Sequence, residues 1–208
     1  PILQERMESG WVATAGPILV RALEEIKQLA SRNDWTAKDP ADGVQYSSRP
    51  HDDWPIIKAV AEIHAPPEAI VQFFRNVNNI AQWNDKLKNV HVLHENGPLK
   101  LIKSQIKAKW PMDDRETLYA QTEFVENDGN TVFLIEKSVE LPDIPVEKKH
   151  VRAHLIYSGC ILERLEPSRT RVTYIVLLNP EASVPGAAKE KLQMTNAGKV
   201  AVAKRTLG

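Results

Sequence analysis

Histidine and cysteine side chains are the first candidates for chemistry in this sequence. His91 and His94 lie three residues apart in a stretch that alternates like a β-strand, which places them on opposite faces. His150 and His154 share one strand face, and Cys160 has no evident base. No Ser/His/Asp order stands out, and no Cys/His cluster has zinc spacing. Acid–base catalysis needs a pair of such groups in one cavity, so we expect a non-catalytic protein without metal or cofactor.

Composition narrows the classes of function further. The 208 residues are 42% hydrophobic and 26% charged, as in a soluble globular protein of one domain. Lys and Arg total 27, and Asp and Glu also total 27. The protein therefore has no net positive charge that would attract nucleic acid. No apolar run reaches the ~18 residues of a transmembrane helix, and a lone cysteine forms no internal disulfide.

These features favour an intracellular protein, in the cytoplasm and monomeric. The chain begins at Pro1 rather than at a methionine, so we expect a fragment or a processed product. A targeting segment or a further domain upstream therefore stays open.

The first half of the chain contains three helical patterns and two strands. Residues 1–16 carry no strong pattern and are interpreted as an N-terminal arm. Apolar residues at helical spacing predict a helix over 17–31, and strands follow at 44–48 and 56–63. An amphipathic helix then begins at Pro67, with a short helical piece over 80–87.

After residue 87, hydrophobic and polar residues alternate with a period of two residues for about 90 residues. Six strands are predicted, at 90–93, 99–108, 116–125, 131–139, 151–164 and 171–178. Asn96-Gly97 and Asp128-Gly129 are typical of tight hairpins, so the sheet is expected to be antiparallel. The exception is a longer connection at 141–149, which contains two prolines.

One long helix, 184–207, is predicted to follow the sheet. Its apolar side consists mostly of small residues, which cannot fill a core alone. Charged residues are assigned to its solvent side: Lys189, Glu190, Lys191, Lys199, Lys204 and Arg205. Such a helix suits the mouth of a concave sheet with space beneath it. The fold class is therefore α+β, an antiparallel sheet covered by a terminal helix.

Several short motifs carry a family resemblance, and they follow one order along the chain. They are Trp35 with Asp42-Gly43-Val44, Trp83-Asn84, Pro111-Met112-Asp113-Asp114-Arg115-Glu116, Val151-Arg152-Ala153, the strand 170–178 running into Asn179-Pro180, and Val184-Pro185. Together they resemble the START family of steroidogenic-acute-regulatory-protein-related lipid-transfer domains over residues 17–207. The resemblance implies a lipid-binding domain at 17–208 with a helix-grip fold, in which a curved antiparallel sheet wraps around the long C-terminal helix and encloses a cavity for one lipid.

The resemblance also implies which strand faces line this cavity. Alternation places Tyr119 and Gln121 on one face, and the family's register turns that face inward. The predicted lining is Ile102, Ser104, Ile106, Thr117, Tyr119, Gln121, Glu123, Leu134, Glu136, Val151, Ala153, Leu155, Tyr157, Leu192 and Asn196. The alternative, that each polar member faces water outside the sheet, stays open. A buried Glu123 or Glu136 would need a hydrogen-bond partner or a cation.

The lipid class is not assigned by the resemblance. Phosphatidylcholine-binding members carry an Arg and an Asp four residues apart, where this chain has Ile80 and Asn84. Sterol-binding members pair an Arg with an acid on a neighbouring strand, and the Arg position matches Gln121. Gln121, with Tyr119 or Tyr157, is instead expected to bind a neutral amide, hydroxyl or ester.

The leading hypothesis is binding of a single lipid and its transfer between membranes. The predicted gate is the loop 141–149, with Pro142, Ile144, Pro145 and Val146, together with the C-terminal helix. The loop would also touch the membrane surface transiently. Arg115 and Arg152 are predicted to form structural salt bridges. The alternatives are a lipid-sensing module of a larger protein, or a cyclase or hydrolase on the same fold.

Overall fold

The computed structural model describes residues 2–108, 112–183 and 185–208, without the side chains of residues 2–9 and 187. Pro111 and Val184 of the family motifs lie outside the described residues. The helices are α1 Ile2–Ala30, α2 Pro67–Arg75, α3 Gly186–Ala197 and α4 Lys199–Leu207, with 3-10 turns at Val77–Gln82 and Asn127–Gly129. The strands are β1 Thr36–Ala37, β2 Gln45–His51, β3 Trp54–Ile63, β4 Leu87–Asn96, β5 Leu99–Ile106, β6 Asp114–Glu126, β7 Thr131–Ser138, β8 His150–Arg152, β9 His154–Glu166 and β10 Arg169–Asn179.

All the described strands belong to one curved sheet, which confirms the predicted fold class. Its order is β1-β2-β3-β10-β9-β7-β6-β5-β4, and neighbours along this path are antiparallel. The predicted strand at 151–164 is divided at Ala153 into β8 and β9. β8 pairs in parallel with the start of β6, while β9 pairs with β7 and β10.

The sheet is buried on both faces, and each face has its own core. The inner face carries Ile57, Leu134 and Leu162 and packs against α2 and α4. The outer face carries Ile56 and Leu118 and is covered by α1. Because side chains alternate along a strand, Ile56 and Ile57 enter opposite cores although they are neighbours.

Helix α1 begins at Ile2 rather than at Pro17, so the predicted N-terminal arm is helical. Trp11 and Ala15 are buried against the outer face, and Leu19 continues the same helical stripe. Pro17 lies inside the helix at an exposed position. A proline removes one backbone hydrogen bond, but packing of the apolar stripe supplies most of a helix's stability and outweighs that loss.

The terminal helix consists of two segments, α3 and α4, that meet at Gly198. The N–H of Gly198 donates to the carbonyls of Met194 and Thr195, at 3.1 and 3.2 Å. α3 is fastened to the sheet by Gln193, whose side-chain amide donates to the Leu178 carbonyl and accepts from its N–H, at 2.6 and 3.0 Å. α4 has five buried residues under the inner face. No helix among the described residues is long and apolar enough to cross a membrane.

A glycine on β9 tests how closely α1 lies on the outer face. A Cβ at Gly159 would sit 2.7 Å from Cγ1 of Ile26, which real contacts essentially never show. We expect Gly159→Ala to lower the free energy of unfolding by about 1–3 kcal/mol in urea titrations. Gly16→Ala is the matched control: it meets nothing within 4 Å and should raise stability by about 0.5–1 kcal/mol. Equal stabilities for the wild type and Gly159→Ala would contradict this packing.

Candidate functional site

A hollow of about 100 Å³ lies between the inner face of the sheet and the terminal helix segments. One wall is the inner face of β5, β6, β7, β9 and β10, another is the stretch from α2 to the start of β4, and the third is formed by α3 and α4. The lining residues are Phe74, Val77, Ile80, Trp83, Asn84, Leu87, Ser104, Ile106, Thr117, Tyr119, Gln121, Glu136, Leu155, Tyr174, Val176, Leu178, Asn196 and Lys199. Most of these side chains are apolar, and the polar ones come mainly from β6, β7 and the terminal helix.

A buried ion pair crosses the hollow from the sheet to the terminal helix. Nζ of Lys199 lies 3.5 Å from Oε2 of Glu136, and the two side chains are 6% and 13% exposed. The ammonium group also lies 3.9 Å from the centre of the Tyr174 ring and 5.0 Å from that of Phe74. These rings present their negative faces to the cation and replace part of its lost hydration.

The carboxylate of Glu136 has hydrogen-bond donors on both oxygens. Gln121, its direct cross-strand partner on β6, donates from Nε2 to Oε1 at 2.8 Å. Ser158 on β9 donates from its hydroxyl to Oε2 at 2.6 Å, and the same hydroxyl lies 3.1 Å from that of Tyr174. A buried carboxylate with a cation and two donors is compensated for its loss of water.

The protonation states follow from these contacts. Burial alone would raise the pKa of Glu136, but Lys199, Ser158 and Gln121 together hold the pKa of this carboxyl below its ordinary value. Burial lowers the pKa of Lys199, while the acidic groups around it raise that pKa above the usual range. Burial raises the pKa of Cys160 and of Tyr174 to about 12 each. At neutral pH the hollow therefore holds one ion pair and neutral tyrosine phenols, and the Cys160 thiol, which is buried in the inner core outside the lining, is unreactive.

Two buried polar atoms at the hollow have no hydrogen-bond partner among the described residues. They are Oε1 of Gln121, an acceptor, and Nδ2 of Asn196, a donor. Both residues line the hollow. An unpaired buried polar atom costs about 1–3 kcal/mol, so these two atoms are where a guest molecule would gain most from hydrogen bonding.

The structure places eight of the predicted cavity residues around the hollow. They are Ser104, Ile106, Thr117, Tyr119, Gln121, Glu136, Leu155 and Asn196. The remaining seven lie elsewhere: Ile102, Glu123, Leu134, Val151, Ala153, Tyr157 and Leu192. The residues of β6 that line the hollow, Thr117, Tyr119 and Gln121, thus lie on the face that was predicted to point inward. The lining differs from the predicted one elsewhere on the strands and, in the terminal helix, at Leu192.

The seven residues outside the lining have different environments. Ile102, Leu134 and Ala153 are fully buried by their neighbours, and Val151 is half-buried in β8. Glu123 lies beyond the hollow on β6.

Two of them make contacts that explain their placement. A carboxylate oxygen of Glu123 lies 3.3 Å from the guanidinium of Arg75 on α2. Leu192 packs against the outer core, which also contains Trp54, and Lys189 on the same helix lies over the Trp54 ring.

Tyr157 faces the outer side because β9 contains a β-bulge. Tyr157 pairs with Leu177, but Leu155 pairs with Leu178, so Ile156 is an extra residue in the ladder. One inserted residue reverses the side-chain parity beyond it. Leu155 therefore faces the hollow as predicted, while the Tyr157 ring lies against His51 with a centroid separation of 5.2 Å.

The two predicted structural arginines differ in their partners. Arg152 lies 3.3 Å from the completely buried carboxylate of Glu116, on the outer face of the sheet. Arg115 instead donates to the backbone carbonyls of Pro180, at 2.6 Å, and of Asp113. Among the described residues its guanidinium forms no ion pair with the neighbouring acids, so it joins the start of β6 to the segment after β10.

The predicted gate lies away from the hollow. Among the residues that the structure describes, none from 141–149 lines the hollow. Leu141 and Ile144 pack against the outer core, and the Ile144 carbonyl accepts a hydrogen bond from Arg152 at 3.0 Å. Pro142, Pro145 and Val146 are exposed on this outer side. The loop residues predicted to form a gate thus lie on the outer side, away from the lining of the hollow, and a gating role for this loop stays a prediction.

Lys199 was assigned to the solvent side of the terminal helix and is instead 5% exposed inside the molecule. Two features of the sequence indicate that Lys199 faces the interior. Asn196 and Lys199 are three residues apart and share one helix face. The strand register turns Glu136 inward, and a buried carboxylate requires a cation. No group of three or more His, Cys, Asp or Glu among the described residues could hold a metal ion.

An antiparallel sheet curved around a hollow and closed by a terminal helix defines the helix-grip class of proteins. The sequence model of the START domain family matches residues 22–207, and the chain belongs to this family. A curated relative, the mitochondrial steroidogenic acute regulatory protein of Danio rerio, is 27% identical over 118 residues. That match covers 53% of this chain and 40% of the relative.

Solved structures share the fold at low sequence identity. Human StAR-related lipid transfer protein 5 is 15% identical, with a TM-score of 0.77 over 93% of this chain and 98% of its own. A STAR-related lipid transfer protein from Xanthomonas axonopodis is 21% identical, with a TM-score of 0.70 over 84% of this chain and 99% of its own. Identities this low show a common architecture and not a common ligand.

Removing one member of the buried ion pair should destabilise the protein strongly. We expect Lys199→Met to lower the free energy of unfolding by about 3–5 kcal/mol, because it leaves Glu136 charged and buried without its cation. The double variant Glu136→Leu/Lys199→Met should lose about 1–3 kcal/mol less than the sum of the single losses. Lys191→Met, on the exposed side of α3, is the control and should change stability by less than about 0.5 kcal/mol. Strict additivity in urea titrations would exclude the pairing.

The lowered pKa of Glu136 predicts a pH dependence of stability. A carboxyl whose pKa is lower in the folded state stabilises the fold above its unfolded pKa, and this contribution is lost as the pH falls through the folded pKa. Below about pH 4.5, the ordinary pKa of a glutamate, wild-type protein should therefore lose stability more steeply than Glu136→Gln. Thermal unfolding between about pH 7 and pH 3 measures both slopes, and identical slopes would show that Glu136 does not titrate differently on folding.

Proposed function

We propose that this protein binds a single lipid in the hollow, with the lipid's polar group at Gln121 and Asn196, beside the Glu136–Lys199 ion pair. One observation carries the proposal: a mostly apolar interior space is lined by a compensated ion pair and by two residues with unpartnered amide atoms. An ordinary core excludes such groups, because each buried polar atom costs stability. A lipid has the matching division into an apolar body and a polar group.

The hollow must widen for this to happen, because sites for drug-sized ligands measure about 300–1,000 Å³. The wall best suited to move runs from residue 77 to residue 87. Its 3-10 helix contains no buried residue, and Ile80, Trp83 and Leu87 are only half-buried. Displacing this wall exposes less apolar surface than separating two strands of the sheet.

The energy of lipid burial is large enough for such a displacement. Relative to a lipid in water, each buried methylene contributes ~0.8 kcal/mol, so a protein that carries a chain of about 16 methylenes through water holds it by ~13 kcal/mol. Exposing three half-buried side chains costs less than about 5 kcal/mol on the same scale. The closed form seen here and a wider lipid-bound form are therefore both accessible to one chain.

Transfer between membranes requires transient contact with each membrane, and we place that contact beside the movable wall. Leu87 lines both the hollow and a neighbouring surface groove, which contains Lys86, Lys88 and Lys107 as well as Asp85 and Asp114; Lys88 is paired with Asp114 at 3.0 Å. Met112, just beyond, is 44% exposed. Lys86 and Lys107, which form no salt bridge among the described residues, supply positive charge for an anionic membrane surface, and Met112 supplies an exposed apolar side chain.

The proposed activity is binding without catalysis. His91, His94, His150 and His154 do not line the hollow, and the carboxylate of Glu136 is engaged by Lys199. Among the described lining residues no second carboxylate or imidazole faces Glu136 as an acid–base partner.

Transfer between liposomes is the direct test. Donor vesicles containing labelled phosphatidylcholine, ceramide or cholesterol are incubated with acceptor vesicles, and the labelled lipid in the acceptors is followed with and without protein. We expect protein-dependent transfer of at least one lipid. No transfer, together with no lipid retained by the protein in native mass spectrometry, would overturn the proposal.

Filling the hollow should abolish lipid binding and leave the fold intact. Ser104 on β5 lines the hollow, and Ser104→Phe adds a ring whose volume is comparable to that of the space. We expect lipid retention to fall at least tenfold, measured by native mass spectrometry, with the circular dichroism spectrum unchanged. Ser47→Phe on β2 is the matched control, because Ser47 lies outside the lining. Equal retention by both variants would place the lipid elsewhere.

A further inference from the structure

We propose that the outer face of the sheet carries a second binding site, which takes an amphiphilic anion: a carboxylate on an apolar body. The site is a surface groove of about 530 Å³ beside the end of α1, on the opposite face of the sheet from the hollow. We call it the outer groove, and the residues that carry the argument are Ala30, Lys58, Val60, Phe133, Ile161 and Thr173. This inference goes beyond the proposed function and does not depend on the hollow.

The floor of the outer groove is a row of side chains that crosses four neighbouring strands. Thr173 on β10 pairs with Val60 on β3 and with Ile161 on β9, and Ile161 pairs in turn with Phe133 on β7. Neighbouring strands lie about 4.8 Å apart, so the row is about 14 Å long. Helix α1 ends at Ala30, and Val60, Ile161 and Thr173 beyond it are only half-buried. The floor therefore offers apolar surface to a guest.

Lys58 is a half-buried cation in this groove, and it forms no salt bridge among the described residues. Its Nζ lies 4.4 Å from the centre of the Trp35 ring, which replaces part of its lost hydration. Burial lowers the pKa of Lys58, and none of the described acidic groups counters this effect. The end of α1 supplies only carbonyl dipoles, which are weaker than a full negative charge. Lys58 is therefore a partly dehydrated ammonium group that a carboxylate would stabilise.

Lys27, the other lysine of the outer groove, already has its acid. Its Nζ lies 2.6 Å from Oε1 of Glu126 and 3.4 Å from Oε1 of Glu24. The hydrogen bond to Glu126 raises the pKa of Lys27, whereas burial lowers that of Lys58. The two lysines thus share one groove but not one state of pairing, and a guest anion gains most at Lys58.

The acidic side chains of the groove lie at its far rim. Lys58 is level with Gly159 across the sheet, and Glu163 lies four residues further along β9, which is about 13 Å. Glu126 stands on β6, four strands away from β3 in the sheet order, and is engaged by Lys27. At physiological salt, charges more than about 8 Å apart at a surface are largely screened. These carboxylates therefore repel an anion at Lys58 only weakly.

The combination selects the chemical class of the guest. An apolar floor alone would accept any alkyl chain, and a surface lysine alone would attract any small anion only weakly. A floor with one unpaired ammonium group favours a chain that ends in a carboxylate, such as a medium-chain fatty acid. A neutral chain leaves Lys58 unpaired, and a cationic chain is repelled by it.

Four probes test this selection by isothermal titration calorimetry: decanoate, 1-decanol, decylammonium and acetate. The titrations use Ser104→Phe, in which the hollow is filled, so that only the outer groove is measured. We expect decanoate to bind about tenfold more tightly than decanol, because only decanoate forms a charge-assisted hydrogen bond with Lys58. Decylammonium should bind more weakly than decanol, and acetate should show no binding at the same concentrations. Decanol or acetate binding as tightly as decanoate overturns the proposal.

Three lysine variants in the same background assign the anion to its residue. Lys58→Met keeps the apolar stem and removes the charge, so decanoate should bind about tenfold more weakly, at the level of decanol. Lys58→Arg should restore the affinity to within about threefold, because the guanidinium group also binds a carboxylate. Lys27→Met is the matched control in the same groove and should change the affinity less than about twofold, because Lys27 is already paired. An equal loss in Lys27→Met and Lys58→Met overturns the role given to Lys58.

A measurement on the wild-type chain makes the test independent of Ser104→Phe. With lysine labelled by ¹³C at Cε, nuclear magnetic resonance follows the titration of Lys58, and bound decanoate should raise the pKa of Lys58 because a carboxylate favours the ammonium form. An unchanged pKa at saturating decanoate overturns the site. The outcome is separate from that of the liposome assay: lipid transfer without decanoate binding removes only this site, and decanoate binding without lipid transfer removes only the proposed function.

Discussion

The contact between Glu136 and Lys199 is the constraint on which the interior of this protein depends. Two charges removed from water are tolerable only as a pair with further hydrogen bonds. This requirement explains why Ser158 and Gln121 flank Glu136 on both neighbouring strands, and why an aromatic ring lies 3.9 Å from the ammonium group. The same pair joins the sheet to the first residue of α4, so the position of the terminal helix and the polarity of the hollow have one cause.

The two faces of the sheet are packed differently. The outer face is closed by α1, which packs so tightly over β9 that Gly159 has no room for a side chain. The inner face retains an opening, because α3 and α4 present small and polar residues to the strands. The outer layer packs closely on the sheet, and the hollow exists because the inner layer does not fill the curvature of the sheet.

Much of this architecture could be read from local sequence signals. Alternation and the hairpin dipeptides Asn96-Gly97 and Asp128-Gly129 located the strands to within a few residues, and the family register gave the inward face of β6 correctly. Tyr157 was misplaced because a β-bulge is an insertion that leaves no mark in a two-residue period.

The remaining errors have tertiary causes. The start of α1 was missed because burial of Trp11 by a distant sheet outweighs the local effect of Pro17. Lys199 was misplaced because a lysine is ordinarily solvated, and only the long-range partner Glu136 makes its burial favourable. The terminal helix is broken at Gly198, and each segment has its own attachment to the rest of the protein. Gln193 binds α3 to the end of β10, and Lys199 anchors α4 in the interior. In the proposed loading, the wall of residues 77–87 moves while both helix segments keep these attachments, so the buried salt bridge stays out of water when a lipid enters or leaves.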